Sequence, residues 1–172
     1  MERLTNGNTH TMTTDEYNRC VDEHSDAVYR FMLKNTRNEE LAKDIVQESF
    51  TKLWVKKDEI EGTKAKSYLF STAYHQMVDI YRKEKRKDDF ENVNEQDYSH
   101  SEQYSDLSEL LNMAIQQLPE VQRSVIMLRD YEGYSYEEIG KITNLNESQV
   151  KVYIYRARLF LKKYIGSMEN VV

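Results

Sequence analysis

Apolar side chains recur three or four positions apart over most of this chain, the period of a helix with one buried face rather than the alternation of a strand. From about Asp15 to Lys34 the repeat is carried by Tyr17, Cys20, Val21, His24, Val28 and Phe31. Thr14 is placed to cap that helix, with Asp15 and Glu16 favourable at its positive end. From about Glu39 to Lys57, Leu41, Ile45, Val46, Phe50, Leu53 and Trp54 share a face, and after a polar break at Gly62 a third helix is predicted from about Lys66 to Arg86. Residues 88–106, "DDFENVNEQDYSHSEQYSD", carry seven acids, no bases and little periodicity, and read as a solvated tether. Helicity returns near Leu107, pauses at Pro119, which suits a first-turn position, and runs to about Tyr131. "EGYS" is a turn, and Ser135 with Glu138 three residues on forms a capping box for a short helix from Tyr136 to Ile142. Thr143, Asn144 and Leu145 make a corner before a long helix that begins at Asn146. The pattern predicts an all-α protein of two small helical domains, residues 15–87 and 107–166. They are joined by the acidic linker 88–106 and flanked by a polar tail, 1–14, and a short C-terminal tail, 167–172.

Composition agrees: five Gly, one Pro and 31% charged residues leave little material for tight turns. No run of about 18 apolar residues is present, and "MERLTNGNTHTMTT" has no apolar core for a secretory signal. Cys20 is the one cysteine, so an internal disulfide is excluded and a reducing cytoplasm fits. The net charge of −6 argues at first against a polyanionic partner. Resolved along the chain the balance is −4 over residues 1–61, +5 over 62–87, −9 over 88–133 and +2 over 134–172. A phosphate feels charge within a Debye length of about 8 Å, so the two basic segments count separately from the acidic one.

The C-terminal segment, "YEEIGKITNLNESQVKVYIYRARLFLKK", has the spacing of a helix-turn-helix, with Ile139, Ile142, Leu145, Val150 and Ile154 locking one helix against the next. That leaves Ser148, Gln149, Lys151, Val152, Tyr155 and Arg156 on the outer side. Gln suits an adenine edge, Lys a guanine edge and Val a thymine methyl. Arg156, Arg158, Lys162 and Lys163 suit phosphates. An ordinary helical hairpin with a solvated basic face fits the same pattern. The other basic segment interleaves Tyr68, Phe70, Tyr74, His75 and Tyr81 with Lys64, Lys66, Arg82, Lys83, Lys85 and Arg86, a combination that suits unstacked bases on a single strand. The alternative there is that Leu69, Ala73, Met77 and Ile80 face a core and the tyrosines flank it. In "ELAKDIVQESFTKLW", Phe50, Leu53 and Trp54 beside the acidic face of Asp44, Gln47 and Glu48 suit a protein interface or, equally, a core. His10, His24, His75, His100 and Cys20 lack metal-ligand spacing, and no phosphate loop or nucleophile motif occurs. The expectation is a protein with no metal, no cofactor, no small-molecule substrate and no catalytic activity of its own.

At these residues the chain resembles the extracytoplasmic-function (ECF) sigma factors of the bacterial sigma-70 family. "AKDIVQESFTKLW" resembles their region 2 signature, "YLFSTAYHQMVDIYR" the helix that follows, and "LPEVQRSVIMLRDYEGYSYEEIGKI" with "VKVYIYRARLFL" their region 4. The resemblance implies a promoter-specificity factor that binds core RNA polymerase, directs it to promoter DNA and helps to open it. It implies docking of Asp44, Gln47, Glu48, Phe50, Leu53 and Trp54 on the β′ clamp helices, and contact with the β flap. It places Lys64, Lys66, Tyr68, His75, Asp79 and Arg82 at the minus-ten element. Ser148, Gln149, Lys151, Val152, Tyr155, Arg156 and Arg158 fall at the minus-thirty-five element. An anti-sigma factor, membrane-bound in some cases, is the expected regulator of a cytoplasmic protein of this kind. His75 stands where the family usually has Asn, Tyr68 where it often has Trp, and Gln149, Val152 and Tyr153 depart from common residues, so the promoter sequence stays open. A mimic that titrates an anti-sigma factor and a stand-alone helix-turn-helix regulator are the competing readings.

Overall fold

The computed structural model describes residues 11–88 and 107–169; residues 1–10, residues 89–106 of the expected linker and the last three residues lie outside that description. Every regular element among the described residues is helical. In chain order they are α1 (Thr14–Thr36), α2 (Glu39–Val55), a 3-10 turn (Gly62–Lys64), α3 (Ala65–Asp88), α4 (Leu107–Gln117), α5 (Glu120–Ile126), a π-helical turn (Met127–Tyr131), α6 (Tyr136–Thr143) and α7 (Glu147–Glu169). Packing divides the chain into two compact units, the first ending at Tyr74 and the second beginning at His75. That division falls inside α3, upstream of the change in composition at residue 88.

In the first unit α1 starts one residue earlier than its sequence pattern suggests. Thr13, not Thr14, is the cap: its hydroxyl accepts from the Glu16 amide at 3.2 Å, while the Glu16 carboxylate accepts from the Thr13 amide at 2.9 Å. Two adjacent threonines compete for the role, and the glutamate three positions on selects the first. Upstream of it Met12 is only 2% exposed, and its amide donates to the Lys57 carbonyl at 3.1 Å. One residue of the expected polar tail, Met12, therefore belongs to the core, while Thr11, Thr13 and Thr14 around it are exposed. Arg37 ends α1 in the left-handed region with φ 54°, and Asn38 caps α2 by accepting from the Leu41 amide at 3.1 Å. Val28, Phe31 and Met32 of α1, Ala42, Ile45 and Leu53 of α2, and Leu69, Phe70 and Ala73 of α3 are buried, with the Phe31 and Phe70 rings 5.5 Å apart. Each large side chain so buried contributes about 1.5–3 kcal/mol of hydrophobic stabilisation. Buried Asn35 and Ser49 donate back to the Phe31 and Ile45 carbonyls of their own helices, at 2.8 and 2.7 Å, so neither side chain costs a lost hydrogen bond.

The second unit is built around α7, against which α4, α5 and α6 all pack. Pro119 is the cap of α5 rather than a first-turn residue, with ψ 146° breaking the chain direction after α4. Helicity runs to Tyr131 as the sequence pattern suggests, but its last five residues widen into a π turn, where the Glu132 amide donates to Met127, five residues back, at 3.2 Å. Gly133 then turns the chain with φ 74°, and the capping box at Ser135 and Glu138 forms as the spacing predicts. Asn144 closes α6 in the left-handed region, φ 59°. Gly140 lets the corner approach: its carbonyl accepts from Leu145 at 3.0 Å, and a Cβ placed on it would lie 2.7 Å from the Leu145 oxygen. The long helix begins at Glu147 and runs to Glu169, so it takes in residues assigned from the sequence to a C-terminal tail.

Candidate nucleic-acid interface

The α6–corner–α7 unit is locked from inside by Ile139, Ile142, Val150 and Ile154, each no more than 2% exposed. With those positions fixed, Ser148, Gln149, Lys151, Val152, Tyr155 and Arg156 all fall on the exposed side of α7, where the sequence pattern puts them. Val152 is 44% and Tyr155 68% exposed, large apolar surfaces that no hydrophobic core explains. Arg156, Lys162 and Lys163 extend a cationic face along the same helix.

Three of the candidates carry a second, internal role. Gln149 is half of a reciprocal cap: its side-chain oxygen accepts from the Asn146 amide at 3.0 Å, and the Asn146 side chain accepts from the Gln149 amide at 2.8 Å. Lys151 pairs with Glu147 at 3.0 Å, one helical turn back. Arg158 is bound in bidentate fashion by Asp130 of the π turn, at 2.6 and 3.3 Å. That bond, assisted by Tyr136, raises the guanidinium above its ordinary range. A phosphate contact from Arg158 must compete with this carboxylate.

On the first unit, a cleft of about 360 Å³ is lined by Thr11, Asp58, Glu59, Ile60, Glu61, Lys64 and Tyr68. Tyr68 is half-buried at its wall, Lys64 lies 3.7 Å from Glu61, and Lys66 stands 6.0 Å from the centre of the Phe70 ring. Further along α3, His75, Asp79 and Arg82 are exposed. Phe70 and Tyr74, grouped in sequence with the base-stacking aromatics, are buried and belong to the core.

The face of α2 divides. Asp44, Gln47, Glu48 and Trp54 are exposed, whereas Leu53 is fully buried and Phe50 is 8% exposed. Leu53 thus supports the surface from beneath, whereas Phe50, though mostly buried, lines a shallow groove with Tyr17 and Gln47; 100° of helix separates Leu53 from its neighbour Trp54. Trp54 is 43% exposed, packs edge-on against Tyr17 at 4.9 Å and has the Lys57 ammonium 5.1 Å from its ring centre. The Tyr17 hydroxyl in turn donates to the Phe50 carbonyl at 3.0 Å, which holds the aromatic pair in place; burial, then proximity to Cys20, pushes its titration upward.

Residues 20–87 match the family model for sigma-70 region 2, and residues 108–161 that for sigma-70 region 4. The chain is 30% identical over 156 residues to the ECF RNA polymerase sigma factor SigM of Bacillus subtilis, covering 88% of this chain and 94% of that one. It belongs to the sigma-70 family, as an ECF-type sigma factor. SigV of the same organism is likewise 30% identical, over 141 residues that cover 80% of this chain and 84% of SigV. Among solved structures, the sigma factor RpoE of Bartonella quintana, crystallised with the anti-sigma factor NepR, superimposes with a TM-score of 0.75 and 25% identity. The match covers 88% of this chain and 98% of that one.

This sigma factor is a transcription-initiation protein and not an enzyme. No helix among its described residues is long and apolar enough to cross a membrane. Reading the sequence of the sigma factor for site residues missed Asp130, Glu147 and Tyr136, which hold the α7 cations. Glu147 could have been found from its i, i+4 spacing to Lys151. Asp130 could not, since it meets Arg158 across 28 residues and through a π turn that no spacing announces.

Proposed function

We propose that this sigma factor recognises its promoters with two separate surfaces while a third engages core RNA polymerase. The observation that carries this reading is α7, whose inner row is sealed by Val150, Ile154 and Ala157 while Ser148, Lys151, Val152, Tyr155 and Arg156 face outward. A helix braced at a fixed angle with polar and apolar groups on its outer face is what base-edge reading in the major groove needs, here at a minus-thirty-five element. Lys64 and Tyr68, at a cleft, and Lys66 on the same stretch of chain are the groups for the minus-ten element, joined by His75, Asp79 and Arg82 further along α3. An unstacked base held there would offset the few kcal/mol that unpairing costs. Asp44, Gln47, Glu48 and Trp54 form the polymerase-docking face, on the β′ clamp helices, with the β flap as a further contact. By analogy with the Bartonella complex, an anti-sigma factor is the regulatory partner, and one anchored in the inner membrane would hold the protein there.

Transcription in vitro from a randomised promoter library, with core polymerase alone and with this protein added, tests the reading. Protein-dependent transcripts that share two spaced upstream motifs are expected. Stable core binding without transcripts would point instead to a mimic that titrates an anti-sigma factor, and the absence of both would reject the reading.

A further inference from the structure

Cations of the second unit converge on one tyrosine. The Tyr136 ring centre lies 4.5 Å from the Arg129 guanidinium carbon and 5.6 Å from the Lys151 ammonium. Tyr136 opens α6 directly after the capping Ser135, so its backbone is fixed, and its side chain is half-buried. Arg129 is anchored in turn, donating to the Tyr134 carbonyl at 2.8 Å. Tyr136 also adds, less than Asp130 does, to the groups that raise Arg158.

An exposed lysine has four rotatable bonds and gives up about 2 kcal/mol of rotamer freedom when held in one place. Two partners already restrict Lys151: the Glu147 carboxylate and the Tyr136 ring. They differ in what happens when DNA arrives. Glu147 occupies one of the three ammonium donors and draws the group toward itself, in competition with a base acceptor. A ring attracts the cation through its quadrupole and occupies no N–H at all, so Tyr136 can keep hold while every donor is free for a base.

We propose that Tyr136 is a specificity-determining positioning residue, whose ring restrains Lys151 so that its ammonium meets one base edge rather than whichever acceptor is nearest. The proposal rests on the reading of α7 as the base-reading helix. The ring does not touch DNA; it narrows the volume that the ammonium explores, and so raises the difference in affinity between the right base and a wrong one.

The test is transcription by core polymerase and the full chain from promoters randomised in the upstream element, with Tyr136→Phe, Tyr136→Leu and Lys151→Ala compared with the parent. Tyr136→Met supplies a second ring-free side chain if melting shows the leucine variant to be unfolded. Tyr136→Phe is expected to keep the base preference, and Tyr136→Leu to lower it about three- to ten-fold at the position that Lys151→Ala also relaxes, leaving other positions unchanged. Unchanged preference in the ring-free variants, with relaxation in Lys151→Ala, overturns the role of Tyr136 alone. Uniform weakening on all sequences shows the ring to be merely structural and also overturns it. No relaxation in Lys151→Ala overturns the reading of α7, and this proposal with it.

Discussion

Arg158 on α7 grips Asp130 on the π turn through two hydrogen bonds, 2.6 and 3.3 Å long, joining residues 28 positions apart. Both side chains are nearly half exposed, so screening by water limits the pair to about 0.5–1 kcal/mol of stability. The same bond withholds one cation from phosphate. Asp130→Asn should therefore lower the denaturation midpoint slightly while tightening binding to random-sequence duplex at low salt. Fluorescence polarisation with labelled duplex measures the second effect; weaker binding would show that Arg158 reaches DNA only while its partner holds it.

Gly140 and Gly166 offer a matched pair. A methyl at 140 would stand 2.7 Å from the Leu145 carbonyl oxygen, a backbone atom that cannot swing aside, whereas one at 166 meets nothing within 4 Å. Gly140→Ala is expected to cost about 1–3 kcal/mol and to disturb the α6–α7 angle, and with it duplex binding. Gly166→Ala, on the final turns of α7, should gain up to about 1 kcal/mol. Thermal melts of the two variants against the parent check both signs.

Leu53 and Trp54 are sequence neighbours with opposite fates, 0% and 43% exposed. Leu53→Ala should lose about 2–5 kcal/mol of stability by opening a cavity. Trp54→Ala should leave most of the stability intact and weaken binding to core polymerase, measured by titration of labelled core. Comparable loss of stability in both would mean that Trp54 belongs to the core and not to a docking face.

His24 gives a prediction about pH. Its imidazole titrates below the ordinary value of 6.5, chiefly because burial disfavours the charged form; Glu23 opposes this weakly, at 3.9 Å, and Lys66 reinforces it. The unfolded chain therefore takes up the proton more readily than the folded one. This contribution to stability is fully present above about pH 6.5 and declines as the pH falls below it. Urea midpoints between pH 7.5 and 5.5 should fall more steeply for the parent than for His24→Gln; identical slopes would clear the imidazole of any part in acid sensitivity.

Much of the architecture was legible in the spacing of Val28 and Phe31, of Ile45 and Leu53, and of Ile139, Val150 and Ile154, because burial on one helix face writes a period into the chain. The capping box at Ser135 was legible for the same reason: its partners are three residues apart. What escaped was long-range or rotational. A shared apolar face on α2 could not say that Leu53 turns inward and Trp54 outward, since one position of helix rotation separates the two roles. Nor could it show that Met12 closes the core, as a single apolar residue outside any helix has no period to betray it. The internal engagement of Gln149 is the local exception: Asn146 stands three residues before it, the same spacing as Ser135 and Glu138, but a side chain suited to an adenine edge is equally suited to a backbone amide.

The sealed position of Met12 bears on oxidative chemistry. Met12, Met32, Met77 and Met127 and the Cys20 thiol are all buried, and burial, with Glu23 adding to it, pushes that thiol up to about 11, which keeps it protonated and unreactive at neutral pH. A sulfoxide formed on any of these methionines would force a polar oxygen into the core; among the described methionines an oxidant meets Met168, 36% exposed near the end of α7, first. Among the described residues, damage by peroxide thus begins at the edge of the second unit, while these four methionines and the Cys20 thiol stay shielded until the protein unfolds.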